Sequence, residues 1–174
     1  MPHLKDHLLA RLRGQAFEGD EHEFSDEDSN TISFVYNCIY RHKVMQLNYT
    51  TYDMHCSQDS VNIQIHSDVV VFTHKDDNDN ANAHPYWYAR VMAIFHADIQ
   101  CRNPESRTVD TQHMDFLWVR WFRRDLDYCS GFEVQRLPQI GFVPSNNESA
   151  FGFLSPDAVL RATHLIAGFA YGTT

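Results

Sequence analysis

The sequence lacks the features that mark membrane, secreted and disulfide-stabilised proteins. No stretch approaches the roughly 18 apolar residues of a transmembrane helix, and charged residues such as Lys5 and Arg11 interrupt the N-terminal leucines, unlike in a signal peptide. The four cysteines are far apart and form no C-x-x-C pair, which argues against a disulfide framework and a zinc finger. We therefore expect an intracellular protein with reduced thiols.

Motifs of common enzymes and metal sites are missing as well. There is no G-x-S-x-G, P-loop, G-x-G-x-x-G or H-E-x-x-H motif. Of the 11 histidines, only His3 and His7 stand at the i, i+4 spacing of a helix face, and two ligands on a terminal helix make a poor site. Residues 76–80 resemble an EF-hand loop, but Ala81 replaces its turn glycine and Trp87 its bidentate glutamate. We expect no metal, no cofactor and no catalytic residue.

Charge is unevenly distributed along a chain that is large enough for one domain with a buried core. The net charge of −9 argues against a general DNA-coating protein, which is normally basic. Acidic residues crowd positions 18–28 and 76–79, and such runs are usually solvated loops. Basic residues gather later in the chain, at Arg120, Arg123, Arg124 and Arg136.

The N-terminal pattern is helical. Leu4, Leu8 and Leu12 repeat every four positions, and Gly14 suits a helix stop, so we predict a helix over residues 2–13. An acidic segment, residues 17–28, would then link this helix to the rest of the chain. We accordingly divide the protein into an N-terminal helix and connection, 1–30, and one compact unit, 31–174.

The remainder has the pattern of a β protein. We predict a hairpin of residues 31–36 and 39–52, and further strands over residues 68–74, 86–97, 116–123, 132–137, 140–143, 151–154 and 163–169. Polar connections are predicted over residues 53–67, 75–83 and 98–114. Along residues 86–97, alternate positions from Trp87 to Phe95 form one apolar face, while Ser155 and Pro156 open a short late helical turn. This arrangement predicts a mainly β, antiparallel barrel with the helix packed outside it.

Two sequence blocks carry a resemblance to a known family. Ala89-Arg90-Val91, and Val119-Arg120-Trp121-Phe122-Arg123 after it, stand in the order found in bromo-adjacent homology (BAH) domains, between a hydrophobic strand at 68–72 and a closing segment near 165–168. The chain therefore resembles a BAH domain, whose fold is a β barrel. Runs such as HPYWYARV, DFLWVRWF and FGFLSPDAV also resemble the C-terminal domain of Plavaka or KDZ-type transposon-associated proteins of mushroom-forming fungi. That second resemblance implies a nuclear, chromatin-associated context without implying a transposase.

The BAH resemblance also implies a function, because members of that family bind nucleosomes, histone tails or partner proteins. Some hold methyl-lysine in an aromatic cage, in which aromatic faces and a carboxylate surround the ammonium. The corresponding cage candidates here are Trp87, Trp121, Tyr86, Tyr88, Asp125, Asp127 and Phe153. The two tryptophans also fall on the faces assigned to the core, so ordinary packing competes with a cage.

We therefore expect a non-catalytic interaction module whose partner is a histone tail, a nucleosome or another protein, without membrane contact. The first alternative is an accessory domain that binds DNA through its arginines, although interleaved acids favour a salt-bridged surface there. The second alternative is a small hydrolase or nuclease built on histidines and acids. Cys129 or Ser130 with His113 is one conceivable nucleophile and base.

Overall fold

The structure, a computed structural model, describes residues 2–15, 24–51, 53–72, 85–101, 110–131 and 134–168. Two α-helices, α1 (Pro2–Leu12) and α2 (Asp26–Ser29), precede the strands. The strands are β1 (Ile32–Phe34), β2 (Tyr40–His42), β3 (Val44–Thr50), β4 (Cys56–Asn62), β5 (Asp68–Phe72), β6 (Tyr86–Cys101), β7 (Asp110–Arg124), β8 (Ile140–Phe142), β9 (Phe151–Leu154) and β10 (Val159–Ala162). Short 3-10 helices span Val35–Asn37, Glu148–Ala150 and Pro156–Ala158.

The two longest strands, β6 and β7, form an antiparallel ladder from Ala89↔Trp121 to Cys101↔Asp110. On its other edge β6 pairs with β5, β2 and β1 in turn, and β10 continues the sheet beyond β5. β7 pairs on its other edge with β9 and β8. β3 and β4 form a separate hairpin. The protein is therefore mainly β and antiparallel, as expected, but within the described ranges the ladders do not close into a barrel.

The β6–β7 ladder buries both of its faces, each at a different end. One core consists of residues beneath the β3–β4 hairpin, including Val91, Leu117 and Val119. The other packs under α1 and includes Ala97, Ile99, Met114 and Phe116. Side chains alternate between the faces of a strand, so Phe116 and Leu117 point to opposite sides and both are fully buried. We call the two sides the hairpin face and the helix face.

Helix α1 forms because its leucines make one apolar stripe. Leu4, Leu8 and Leu9 are buried in the core of the helix face, and Gly14 follows the helix with a φ of +69°, a conformation that glycine adopts without strain. These observations confirm the predicted helix to within a residue. None of the helices in the described part of the chain is long and apolar enough to cross a membrane.

Three predictions about residues 31–114 are wrong. The segments predicted as one hairpin, 31–36 and 39–52, do not pair with each other, because β1 and β2 both pair with β6. The predicted polar connection 53–67 contains β4, which alternation did not reveal because most of its residues are polar. Part of the predicted loop 98–114 instead extends β6 and β7.

Three further predictions fail for local reasons. A β-bulge between Val91 and Ala93 shifts the alternation, so Phe95 lies on the opposite face from Val91. Of the predicted strand 132–137, the described residues form a turn and a single bridge between Gly131 and Arg136. The last strand is β10, and the predicted segment 163–169 has no strand in its described residues, 163–168. Strands at 140–142 and 151–154 and the turn at Pro156–Ala158 agree with prediction.

Candidate functional site

A groove of about 550 Å³ runs beside β3 on the hairpin face. Residues 44–48 line one side, Pro156, Asp157 and Val159 line another, and Ile94 and Asp115 of the central ladder also border the groove. Strand β2 pairs with β6 and ends at His42. The groove exists because the chain then continues as β3, which pairs with β4 instead of β6. Among the described residues, one edge of β3 therefore has no strand hydrogen-bonded to it.

The open edge of β3 presents backbone groups to this groove. Thr51 N–H donates to the carbonyl of His55, directly opposite, so Thr51 belongs to a hydrogen-bonded pair. Hydrogen-bonded and non-hydrogen-bonded pairs alternate along an antiparallel ladder. Counting back by the register with β4, Val44, Gln46 and Asn48 therefore direct their N–H and C=O groups away from β4. The side chains of all three are also exposed, unlike those of Met45 and Leu47, which pack against the core.

The groove is bordered by carboxylates. Asp115 lies on β7, and Asp157 in the short helical turn before β10 has a 93% exposed side chain. Arg11 is 3.9 Å from Asp157 and donates to the backbone carbonyl of Asp115 rather than to its carboxylate. An ion pair at such a distance and exposure is weak. The carboxylate of Asp157 is therefore available to a cationic partner, whereas that of Asp115 also lies 3.8 Å from His113 Nε2.

A histidine cluster lies at one end of the groove, on the same face. His42 of β2, His96 of β6 and His113 of β7 stack in a row, with ring centroids 4.7 Å apart for each neighbouring pair. Asp98 Oδ1 is 2.9 Å from His113 Nδ1. This cluster could not be predicted from the sequence, because its members come from three strands whose register was not predicted. The sequence features that could have indicated the cluster were the alternation of side chains along the strands and the large number of histidines.

The cage candidates are divided between the two faces. Trp87 and Trp121 meet on the hairpin face as a T-shaped pair with centroids 5.7 Å apart, and Trp87 is 41% exposed. Tyr86 and Tyr88 alternate with Trp87 and so point to the helix face, where Tyr86 stacks on Phe72. Burial raises the pKa of the Tyr88 hydroxyl, with a smaller contribution from Tyr86.

The remaining cage candidates lie apart from the tryptophan pair. Phe153 is buried in the core of the helix face, against Trp118 and Phe116. Asp125 and Asp127 are exposed beyond the end of β7, where Asp125 Oδ1 accepts a hydrogen bond from the Asp127 amide. The structure thus brings together two of the predicted residues, Trp87 and Trp121, as neighbouring aromatic walls.

The predicted arginines also separate. Arg120 stacks on Phe142, with its guanidinium carbon 4.0 Å from the ring centroid, and Arg124 donates to the Ser130 hydroxyl at 3.0 Å. Neither forms an ion pair with another residue of the described ranges. Arg123 is exposed on the opposite face, while Arg136 is exposed and bridges Gly131 through its backbone.

Arg90 joins Arg120 in this arginine–aromatic layer on the helix face. It makes a bidentate contact with Asp68, at 2.7 and 3.0 Å, and lies 5.1 Å from the Phe142 centroid. The hydrogen bonds that Arg90 donates to the Asp68 carboxylate raise the pKa of Arg90. This part of the surface is held by internal contacts, which favours a structural role for its arginines over DNA contact.

The conceivable nucleophile and base do not meet. His113 lies towards the start of β7, whereas Ser130 contacts Arg124 at the end of the same strand, and Cys129 is its neighbour. Residues 76–80, the weak calcium candidate, fall outside the described residues. No family model, no curated protein and no solved structure matches the chain.

Proposed function

We propose that the chain is a non-catalytic protein-interaction module whose groove binds an extended, basic peptide such as a histone tail. The observation that carries this proposal is the open edge of β3, whose outward backbone groups border a groove with carboxylates on it. An extended peptide adds to such an edge by backbone hydrogen bonds, and pockets beside the edge select its side chains.

Charge favours a basic segment over an acidic one. Asp115 and Asp157 border the groove, and the chain as a whole carries a net charge of −9. Lysine and arginine side chains of an added strand would lie beside these carboxylates. Histone tails are extended, basic and free at one end, so they have the properties that this groove selects.

The sequence resemblance supports the same proposal. On that resemblance we further propose a BAH-like domain of a fungal, transposon-derived protein that acts in the nucleus, with a BAH-like barrel as its architecture. Trp87 and Trp121 supply two adjoining aromatic walls at which methylation of a bound lysine would be sensed. Methylation dependence is thus the finer part of the proposal.

Fluorescence anisotropy with a labelled histone-tail peptide tests the groove directly. Gln46→Pro removes an N–H that points into the groove while leaving the β4 ladder intact, because that N–H does not donate to β4. We expect it to abolish measurable binding. Ser60→Pro, directly opposite on β4, is the matched control and should bind as the unmodified chain does, since its N–H points off the other edge of the hairpin.

Further arms of the experiment separate the alternatives. Asp157→Asn should weaken peptide binding several-fold and flatten its salt dependence. A trimethylated peptide that binds more tightly, with the gain lost in Trp87→Ala, would support the cage. Equal binding by Gln46→Pro and Ser60→Pro would reject the groove. Salt-dependent DNA binding that weakens in Arg123→Ala and Arg124→Ala would favour the nucleic-acid alternative instead.

A further inference from the structure

We propose that His96, His113 and Asp115 bind a divalent metal ion of the zinc type, with His42 as the candidate fourth ligand. The proposal goes beyond peptide binding and does not depend on it. Strand register brings these residues together, because Tyr40 pairs with His96, His96 with Asp115 and Asp98 with His113. Every second residue of these strands points to the hairpin face, so the four side chains gather there.

Distances between the ligand atoms are close to those of a metal site. The available atoms of His96, His113 and Asp115 all lie within 4.8 Å of one another. His113 Nε2 is 3.8 Å from Asp115 Oδ1, and His42 Nε2 is 2.5 Å from His96 Nδ1. Ligands about 2.1 Å from a tetrahedral ion lie roughly 3.4 Å apart. Exposed side chains can rotate enough to move these atoms by about 1 Å, which would bring them to the spacing of a tetrahedral site.

Asp98 acts on His113 as an outer partner of a metal ligand does. Its Oδ1 lies 2.9 Å from Nδ1, so the proton that bridges them resides on Nδ1 and the lone pair is on Nε2, the atom nearer Asp115. Such carboxylate–histidine pairs fix the tautomer and orientation of metal-ligating histidines.

The donor set indicates the class of metal. Imidazole nitrogens suit zinc, copper, nickel and iron, whereas calcium and magnesium take oxygen ligands. Histidines with one carboxylate match the zinc set, in which three or four protein ligands surround the ion. Because His42 and Asp115 also border the groove, the ion would lie at the end of the proposed peptide site.

Isothermal titration of the full, chelator-treated chain with zinc chloride alone tests this inference. We expect one saturable equivalent, which His113→Ala and His96→Ala abolish. Asp98→Asn should weaken binding about 10- to 100-fold although Asp98 is not a ligand, as loss of an outer partner does. His55→Ala, an exposed histidine in the turn after β3, is the matched control and should leave the titration unchanged.

Circular dichroism of each variant shows whether it is folded. If a histidine variant does not fold, Asp98→Asn still tests the site. Zinc titrations that are alike in the unmodified chain, His96→Ala and Asp98→Asn would overturn the site, as would the absence of a saturable equivalent. Since no peptide is present, this result is independent of the peptide experiment.

Discussion

The two ends of the β6–β7 ladder use the same pair of strands in opposite ways. Near Ala89 and Val119, the hairpin face is buried and the helix face carries half-buried arginines on aromatic rings. Near Ala97 and Met114, the helix face is buried under α1 and the hairpin face carries the histidine cluster. One ladder therefore presents two chemically different surfaces, each on the side that its own core leaves open.

This difference shows how a long ladder can carry a core and a site without a second domain. A bulge between Val91 and Ala93 realigns the apolar positions of β6, while β7 switches its buried side at the adjacent residues Phe116 and Leu117. The surface left open at one end is held by stacking contacts. The other end has adjacent titratable groups beside a groove.

Removing one side chain from each core tests whether the two ends of the ladder have separate cores. Phe116→Ala and Leu117→Ala are neighbours, yet each should lower the free energy of unfolding by about 3–5 kcal/mol, because each empties a fully buried position. Urea denaturation measures both. Gln112→Ala, an exposed position on the same strand, should change little. If either core variant costs less than about 1 kcal/mol, the ladder has one core only.

Acid sensitivity should belong to the helix-covered end. Burial, and to a smaller extent Arg11, lower the pKa of His7 from 6.5 to about 4, and its Nε2 has no hydrogen-bond partner among the described residues. His7 is therefore neutral in the folded chain but protonated in the unfolded chain below pH 6.5, so stability is lost as the pH falls from 6.5 towards 4. At pH 5 this loss is about 2 kcal/mol.

His7→Gln isolates that contribution. Denaturant unfolding of both chains at pH 7.5 and pH 5 should show a smaller loss in the variant by about that amount, since the carboxylates that also titrate are common to both chains. Equal losses in the two chains would mean that His7 is not held neutral by burial.

The arginines at the other end of the ladder should contribute less to stability than the two cores. Arg120→Ala should cost about 1–2 kcal/mol, because Arg120 covers Phe142 and loses both stacking and packing. Arg123→Ala, three residues on and exposed, is expected to fall within about 0.5 kcal/mol of the unmodified chain. Thermal unfolding under identical salt conditions compares them. Equal costs would contradict a stacking role for Arg120.

Sequence patterns predicted the parts of the fold that depend on local apolar periodicity. The leucines of α1, the run at 69–72 and the alternating faces of β7 were sufficient for this. The polar strand β4 was missed because it is stabilised by pairing with β3, which leaves no apolar pattern. The bulge in β6 depends on register with β7, and register is a long-range property.

The candidate site was less predictable for the same reason. Trp87 and Trp121, two of the cage candidates, lie next to each other because they share a face of paired strands. Tyr86 and Tyr88 were grouped with Trp87 although adjacent residues of a strand point to opposite sides. The histidines of the cluster are separated by long stretches of sequence, and only the pairing of β2, β6 and β7 brings them together.

Hydrogen–deuterium exchange of the chain with and without a histone-tail peptide shows whether the open edge of β3 is the binding site. If the peptide adds to the open edge, the amides of Val44, Gln46 and Asn48 should become strongly protected, while those of β4 change little. Protection confined to the segments around Trp87 and Trp121, with β3 unchanged, would contradict the groove as the binding site.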